Sequence, residues 1–402
     1  MVKLGEGPEQ VNRCCGSRSE VVSLEKVREE VAQYLQLDNL SFLVGAGCSS
    51  HKVGDKEQEI GIPGMWDLYE GFFDENRDFE IAGEKARNLY DHNLESMLGT
   101  MYAISAVNET HVVDSDIDDK ISQVQEYIRD RVASGLNGVE VLSFYKAFYQ
   151  SIASRGRKSP ISIFTTNYDL YNERALDELK FPYNDGFSGT YRRTFNPASY
   201  RYALVEDMRL SHDTWDRVPN YFNLYKLHGS ISWKRDGEDV REMDYESIGG
   251  PEAVMIYPTP LKDRSTLMTP YSDLFRLMEN CLMRSNSVLI VMGYSFGDDH
   301  INRLIFNALA VPTFKLVIFG KSERISKLQG LGDNRIVVFN SKDRIHYFNN
   351  LVERVFPNAS DNLLEQTRMR DSLRNLGEFI SSAMPQSGDW SSRDTEESEA
   401  NE

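Results

Sequence analysis

LSFLVGAGCSS, residues 40–50, is the stretch on which the fold turns. Residues 40–44 form a continuous apolar run of strand length, the pattern of a strand covered on both faces. The run enters a glycine turn. Gly45 and Gly47 permit backbone conformations and close approaches that a Cβ obstructs, and exposed amides in such a turn can cradle phosphate oxygens. Ser49 and Ser50 add hydroxyls. Position 50 is serine, which departs from G-x-G-x-x-G, and no lysine follows as in G-x-x-x-x-G-K-[ST]. A nucleoside triphosphatase loop is therefore disfavoured. Cys48 has no identifiable partner base and reads as a small packing residue.

Upstream, Val22, Leu24, Val27, Val31 and Leu35 recur at helical spacing, which predicts an amphipathic helix over 21–36. Residues 1–20 read as a flexible, loosely ordered segment, and 51–64 as a loop. Residues 65–155 carry helical spacing over 84–106, 116–134 and 138–154 and read as an inserted helical subdomain. Strand patterns return at 161–165, 223–227, 254–257, 288–292, 315–319 and 335–339. Their alternation with helices predicts an α/β fold with a Rossmann-like parallel sheet over 21–344. C-terminal helices are expected over 345–356 and 361–382, within a helical segment ending at 384. The acidic stretch 385–402 has too little apolar surface to offset its ordering entropy and reads as a disordered tail.

Three further strand ends carry polar groups, where open α/β sheets place ligands. The run 161–165 leads into TTNYD, setting Thr165, Thr166, Asn167 and Asp169 at a carboxyl end. An Asx turn with Asp169 as a helix cap is the alternative. The run 223–227 ends in His228-Gly229-Ser230, and its position makes His228 the preferred acid–base candidate among seven histidines. The run 288–292 enters GYSFGDD, in which Gly293, Ser295 and Asp298 can meet a phosphate or ribose, or Asp298 or Asp299 can cap the next helix. Asp298, Asp299 and His300 have no recognised metal-ligand spacing. No G-x-S-x-G elbow supports a serine hydrolase.

The 402 residues are 40% hydrophobic and 27% charged, a globular balance, with a formal net charge of -17. That charge argues against a broadly basic nucleic-acid surface and against anionic membranes. No apolar run approaches a membrane span, and no secretory leader pattern is visible at the start. Cys14, Cys15, Cys48 and Cys281 form neither a CxxC pair nor a disulfide framework, so a cytoplasmic setting is expected.

Taken in order, GAG at 45–47, TTNYD at 165–169, LHG at 227–229 and GYS at 293–295 resemble the sirtuin (SIR2) family, most closely its bacterial defence-type SIR2-like members. The resemblance spans roughly 35–340. It implies NAD+ as substrate, with Gly45, Ala46, Gly47 and Ser49 about the phosphates. It implies that Asn167 holds the nicotinamide ribose and positions water, that Asp169 helps anchor the nicotinamide carboxamide, and that Thr166 is among the NAD+-binding residues. His228 would interact with ribose hydroxyls and act as the general base, Gly293 and Ser295 would bind the adenosine side, and Asp298 is counted with the NAD+-binding residues through contact with a hydroxyl. Deacetylating members carry a cysteine-ligated zinc module and a G-V-P-x-F-R segment. This chain has no four-cysteine pattern, and IGIPGMWDLYE at 60–70 stands in the second region. The expectation is therefore an NAD+ glycohydrolase that requires no metal and depletes NAD+ in antiphage defence by abortive infection. The same resemblance implies a homo-oligomer and a HerA-type hexameric ATPase partner, with nucleic acid reached only through that partner. A protein deacylase, an ADP-ribosyltransferase and a non-catalytic nucleotide-sensing module are the alternatives.

Overall fold

The computed structural model describes residues 10–53, 58–108, 112–153, 157–207, 215–249, 252–255 and 269–357. Its centre is a nine-stranded sheet. In chain order the strands are β1 Gln10–Cys15, β2 Arg18–Ser23, β3 Asn39–Val44, β4 Ile161–Thr165, β5 Tyr183–Asn184, β6 Phe222–Lys226, β7 Ser287–Met292, β8 Lys315–Phe319 and β9 Ile336–Asn340. They lie in the order β2-β1-β9-β8-β7-β3-β4-β6-β5. The six longer parallel strands β3, β4, β6, β7, β8 and β9 thus follow the 3-2-1-4-5-6 arrangement of dinucleotide-type Rossmann sheets. The order reverses between β3 and β7, which pair in parallel from Ser287↔Asn39 to Met292↔Val44. The α/β, Rossmann-like reading of the sequence agrees with this architecture.

Alternation along β3 shows how the two helical layers are recruited. Phe42 and Val44 join one core cluster and Leu43 the other, so both faces of the strand are dry. The Phe42 face is covered by α1 Leu24–Tyr34, α5 Val139–Ala153 and α6 Tyr171–Leu179. The Leu43 face is covered by α7 Tyr271–Leu282, α8 Asp299–Ala308 and α9 Glu323–Gln329. Capping sets the helix starts: Ser23 accepts from the Lys26 amide, and Ser322 from the Ile325 amide.

Between β3 and β4 come α2 Met65–Glu75, α3 Leu94–Asn108, α4 Ile117–Gly135 and α5. The helical readings of 116–134 and 138–154 match α4 and α5, but that of 84–106 holds only from Leu94, because Glu84–Lys85 pairs with Glu80–Ile81 as a short hairpin before it, and α5 belongs to the sheet. Phe148 meets Phe42 edge-on at 5.1 Å, which makes α5 the crossover helix of the β3–β4 unit. The insertion above the strand ends is therefore α2–α4.

Three further local expectations differ from the structure. Residues 10–23, read as loose chain and helix start, form the hairpin β1–β2, which adds antiparallel to β9. Buried Val11 and Val22 dock it, and the Arg13 guanidinium binds Glu30 on α1 at 2.7 Å. Residues 51–64 contain the antiparallel pair Ser50–Val53 and Gln58–Gly61. The 254–257 run contributes Ala253–Met255 to a separate five-stranded sheet rather than to the parallel one. That sheet also uses Phe187–Ser188, Arg193–Phe195, Gly229–Asp236 and Asp239–Glu242. In the C-terminal region, Phe348–Asn350 continues into the π-helical Leu351–Val355. The helix expected over 361–382 and the tail after 385 lie outside the described residues.

Candidate functional site

The parallel register brings the four polar strand ends to one level. Thr165 at the end of β4 is opposite both Val44 of β3 and Lys226 of β6, and Val44 is opposite Met292 of β7. The residues that follow these positions line one cavity of about 800 Å³ at the reversal of strand order. Ala46, Gly47, Ser49, Thr166, Asn167, Asp169, His228, Gly293, Ser295 and Asp298 all line it. Gly45 lies at the back of this group, tied to Met292 through its amide.

The glycines explain how β3 and β7 approach so closely. A Cβ on Gly45 would stand 2.4 Å from the Gly293 carbonyl oxygen, and one on Gly293 2.6 Å from the Cys48 nitrogen. Gly293 also has φ +63°. The Gly47 amide donates to Gly293 O at 2.9 Å, while Cys48 and Ser49 donate to Gly45 O and Ala46 O. These amides are spent on holding the turn, so the glycines serve the close approach of two chain segments more directly than they offer donors to a phosphate. Burial pushes the Cys48 thiol up, which keeps it protonated and agrees with a packing role.

Asn167 is held by three bonds. Its amide N–H donates to Thr165 Oγ1 at 3.1 Å, and its Nδ2 donates to Gly45 O at 3.1 Å and to Ser49 Oγ at 2.9 Å. Because a carbonyl only accepts, the Gly45 contact fixes which end of the side-chain amide is nitrogen. Oδ1 is then left buried without a protein partner, on a residue only 6% exposed. Buried acceptors are normally satisfied, so this oxygen is poised for a donor that enters the cavity.

His228 Nε2 lies 2.9 Å from Asp298 Oδ2, and both residues are buried. The other carboxylate oxygen of Asp298 accepts from the amides of His300 and Ile301 and caps α8. Of the two alternatives read from the sequence the helix cap is the one present, and Asp298 also orients the histidine. Gly229, at φ +86°, lets the chain turn from β6 into the second sheet, where a Cβ would lie 2.0 Å from Val254 O.

Asp169 is buried behind the same loop. Burial raises its carboxyl pKa, against the lowering influence of the Lys226 charge and the Ser49 hydroxyl. Its Oδ1 accepts from the Tyr171 amide at 3.0 Å, which is the expected Asx turn, whereas the N-cap position of α6 falls on Leu170 without a side-chain cap. Lys226 reaches the Asp169 carbonyl and binds Glu173 Oε1 at 2.8 Å. A lysine interrupting the apolar strand at 222–227 was a visible signal of this buried ion pair, although its partner 53 residues earlier was not.

Sequence reasoning missed the cavity walls supplied by other elements. Ile62, Met65 and Leu68 come from the IGIPGMWDLYE region, Asn93 and Glu95 from the start of α3, and Ile128 and Val132 from α4. Arg324, at the start of α9, adds a cation near Ser295 and Gly297. Among the described residues, no group of three or more His, Cys, Asp or Glu side chains is arranged to hold a metal ion, and all four cysteines are free. Among the same residues, no helix is long and apolar enough to cross a membrane.

Fold and crevice together define a Rossmann-like α/β protein with its polar site at the switch in strand order. Residues 161–318 match the family model described as SIR2-like domain. The match takes in TTNYD, LHG and GYS, and begins after the glycine turn at 45–47. No curated protein matches the chain. A SIR2-like domain supports NAD+-linked enzymatic activity in general terms.

Proposed function

We propose that this chain hydrolyses NAD+ to nicotinamide and ADP-ribose. The observation that carries the reading is the buried, unpartnered Oδ1 of Asn167, in the same cavity as the hydrogen-bonded His228–Asp298 pair. Nicotinamide departs with the electron pair of the C1′–N bond and becomes neutral as it leaves. The ribose is left electron-deficient at C1′, and a water oxygen bonds there. Asn167 Oδ1 accepts a hydrogen bond from that water or from a ribose hydroxyl and holds it in line. His228 takes the proton released as water adds, and Asp298 stabilises the resulting imidazolium before the proton passes to solvent. Asp169, which lines the same cavity, anchors the carboxamide. Arg324 and Ser295 lie toward the phosphates and the adenosine end.

Water as acceptor is favoured over an acyl-lysine by the absence of a four-cysteine pattern and by the α2–α4 insertion, whose apolar side chains close one side of the crevice. NAD+ depletion as an antiphage defence, by a homo-oligomer working with a HerA-type ATPase in the cytoplasm, is the biological setting we propose. Chromatographic product analysis of NAD+ incubated with the full chain, alone and with its copurifying partners, tests the chemistry. Stoichiometric nicotinamide and free ADP-ribose are expected. O-acyl-ADP-ribose or ADP-ribosylated protein as the main product would replace hydrolysis with transfer, and binding without nicotinamide release would leave only a sensor. Phage-infected cells carrying the chain should lose NAD+, and cells carrying the Asn167→Ala form should not.

A further inference from the structure

A second cavity, of about 540 Å³, lies beside α6 and the five-stranded sheet, and the proposed chemistry does not use it. Its walls carry the carboxylates of Glu173, Asp177, Asp185, Glu242 and Asp244. Arg193 binds both Glu242, at 2.6 Å, and Asp185. Arg174 is turned to the Leu136 carbonyl, and Lys226 holds Glu173 Oε1 at 2.8 Å. Five acidic side chains thus stand against three basic ones, of which Lys226 reaches Glu173 from outside the cavity lining.

Glu173 gives the independent sign of a ligand. It is only 8% exposed, and its Oε2 is buried with no hydrogen-bond partner. A carboxyl oxygen in that position lacks the partner its burial demands, and burial raises the Glu173 carboxyl against the lowering influence of Lys226. The surroundings show the same deficit of positive charge. Burial, then the nearby Asp185 charge, push the Glu242 carboxyl up to about 7 even with Arg193 on it.

The shape of the site selects among cations. The carboxylates are spread around the cavity, and among the described residues no three acidic, His or Cys side chains converge as a metal ion requires. Tyr183 and Tyr245 add aromatic surface to the walls, and Met243 adds a flexible apolar one. Separated charges joined by an apolar stem match such a lining better than a compact ion does. We infer that this cavity binds a small aliphatic di- or polyamine, one ammonium group donating to Glu173 Oε2 and another lying among the remaining carboxylates. The inference is independent of the reaction at the larger cavity.

Calorimetric titration of the full chain with spermidine, at about 0.15 M salt to screen the acidic surface, tests it. Saturable one-to-one binding is expected, weakened roughly 10-fold or more by Glu173→Gln and by Glu242→Gln. Circular dichroism establishes that each variant is folded, and if Glu173→Gln is not, Glu242→Gln decides alone. Absence of saturable binding overturns the proposal. So does binding that the folded variants leave unchanged, since it would then belong to the acidic surface at large. Displacement of spermidine by an equal concentration of Mg²⁺ would also overturn it by making the site one for a compact cation.

Discussion

Asn167 and His228 differ in what their removal should do. Asn167→Ala deletes the buried acceptor and the two side-chain hydrogen bonds, to Gly45 O and Ser49 Oγ, that shape the loop. NAD+ turnover is expected to fall about 100-fold or more while the fold, followed by circular dichroism, persists. His228→Ala should cost roughly 10²- to 10⁴-fold in kcat. Full turnover in both folded variants would remove the assigned site. Asp298→Asn is more discriminating. Asparagine keeps the acceptor that caps α8 but not the charge facing His228, so kcat should drop with little change in thermal stability. Asp169 predicts a pH effect on stability. Its folded pKa is raised by burial, so the native state binds its proton more tightly than the unfolded chain does. The destabilisation is absent in acid and grows as pH rises from the ordinary carboxylate range through the raised value. Asp169→Asn should therefore raise Tm at neutral pH, and the gain should vanish in acid. The types of these residues and their places after strands were legible in the sequence. The pairing of His228 with a carboxylate 70 residues away was not, because it depends on the register of β6 against strands that are remote in the chain.

The strand-end glycines act at the scale of elements. Gly293→Ala would place a Cβ 2.6 Å from the Cys48 nitrogen at a left-handed φ. A loss of stability beyond about 1–2 kcal/mol is expected by denaturant unfolding, together with loss of turnover as the β3 and β7 turns separate. The strands β3, β4, β7 and β8 were readable because burial on both faces writes itself as an unbroken apolar run. The hairpin β1–β2 and the five-stranded sheet were not. Arg13, Glu20, Arg193 and Glu242 look like solvated chain in sequence, and their charges meet only once Arg13 stands opposite Glu20 and Arg193 opposite Glu242 across the register. Local patterns also could not separate α5 from the insertion, since its apolar spacing is the same whichever surface it covers. Contact of Phe148 with Phe42 is what assigns it to the sheet.

For the molecule as a whole, the proposed substrate should act as a stabiliser. With Asn167→Ala to slow its consumption, NAD+ at 100 times its Kd should add about 2.7 kcal/mol to folding, read as a rise in Tm. No shift at millimolar NAD+ would argue against the crevice as its site. The sequence by itself determined the α/β class, the parallel strands and the polar groups at their carboxyl ends, because strand burial and turn chemistry are local properties. Only the tertiary structure decided the 3-2-1-4-5-6 order, the use of the glycines to bring β3 against β7, the His228–Asp298 pair and the cavity walls lent by α2, α3 and α4. Each of these depends on which distant segments come to lie side by side, and that is set by packing both faces of one sheet rather than by any stretch of the chain.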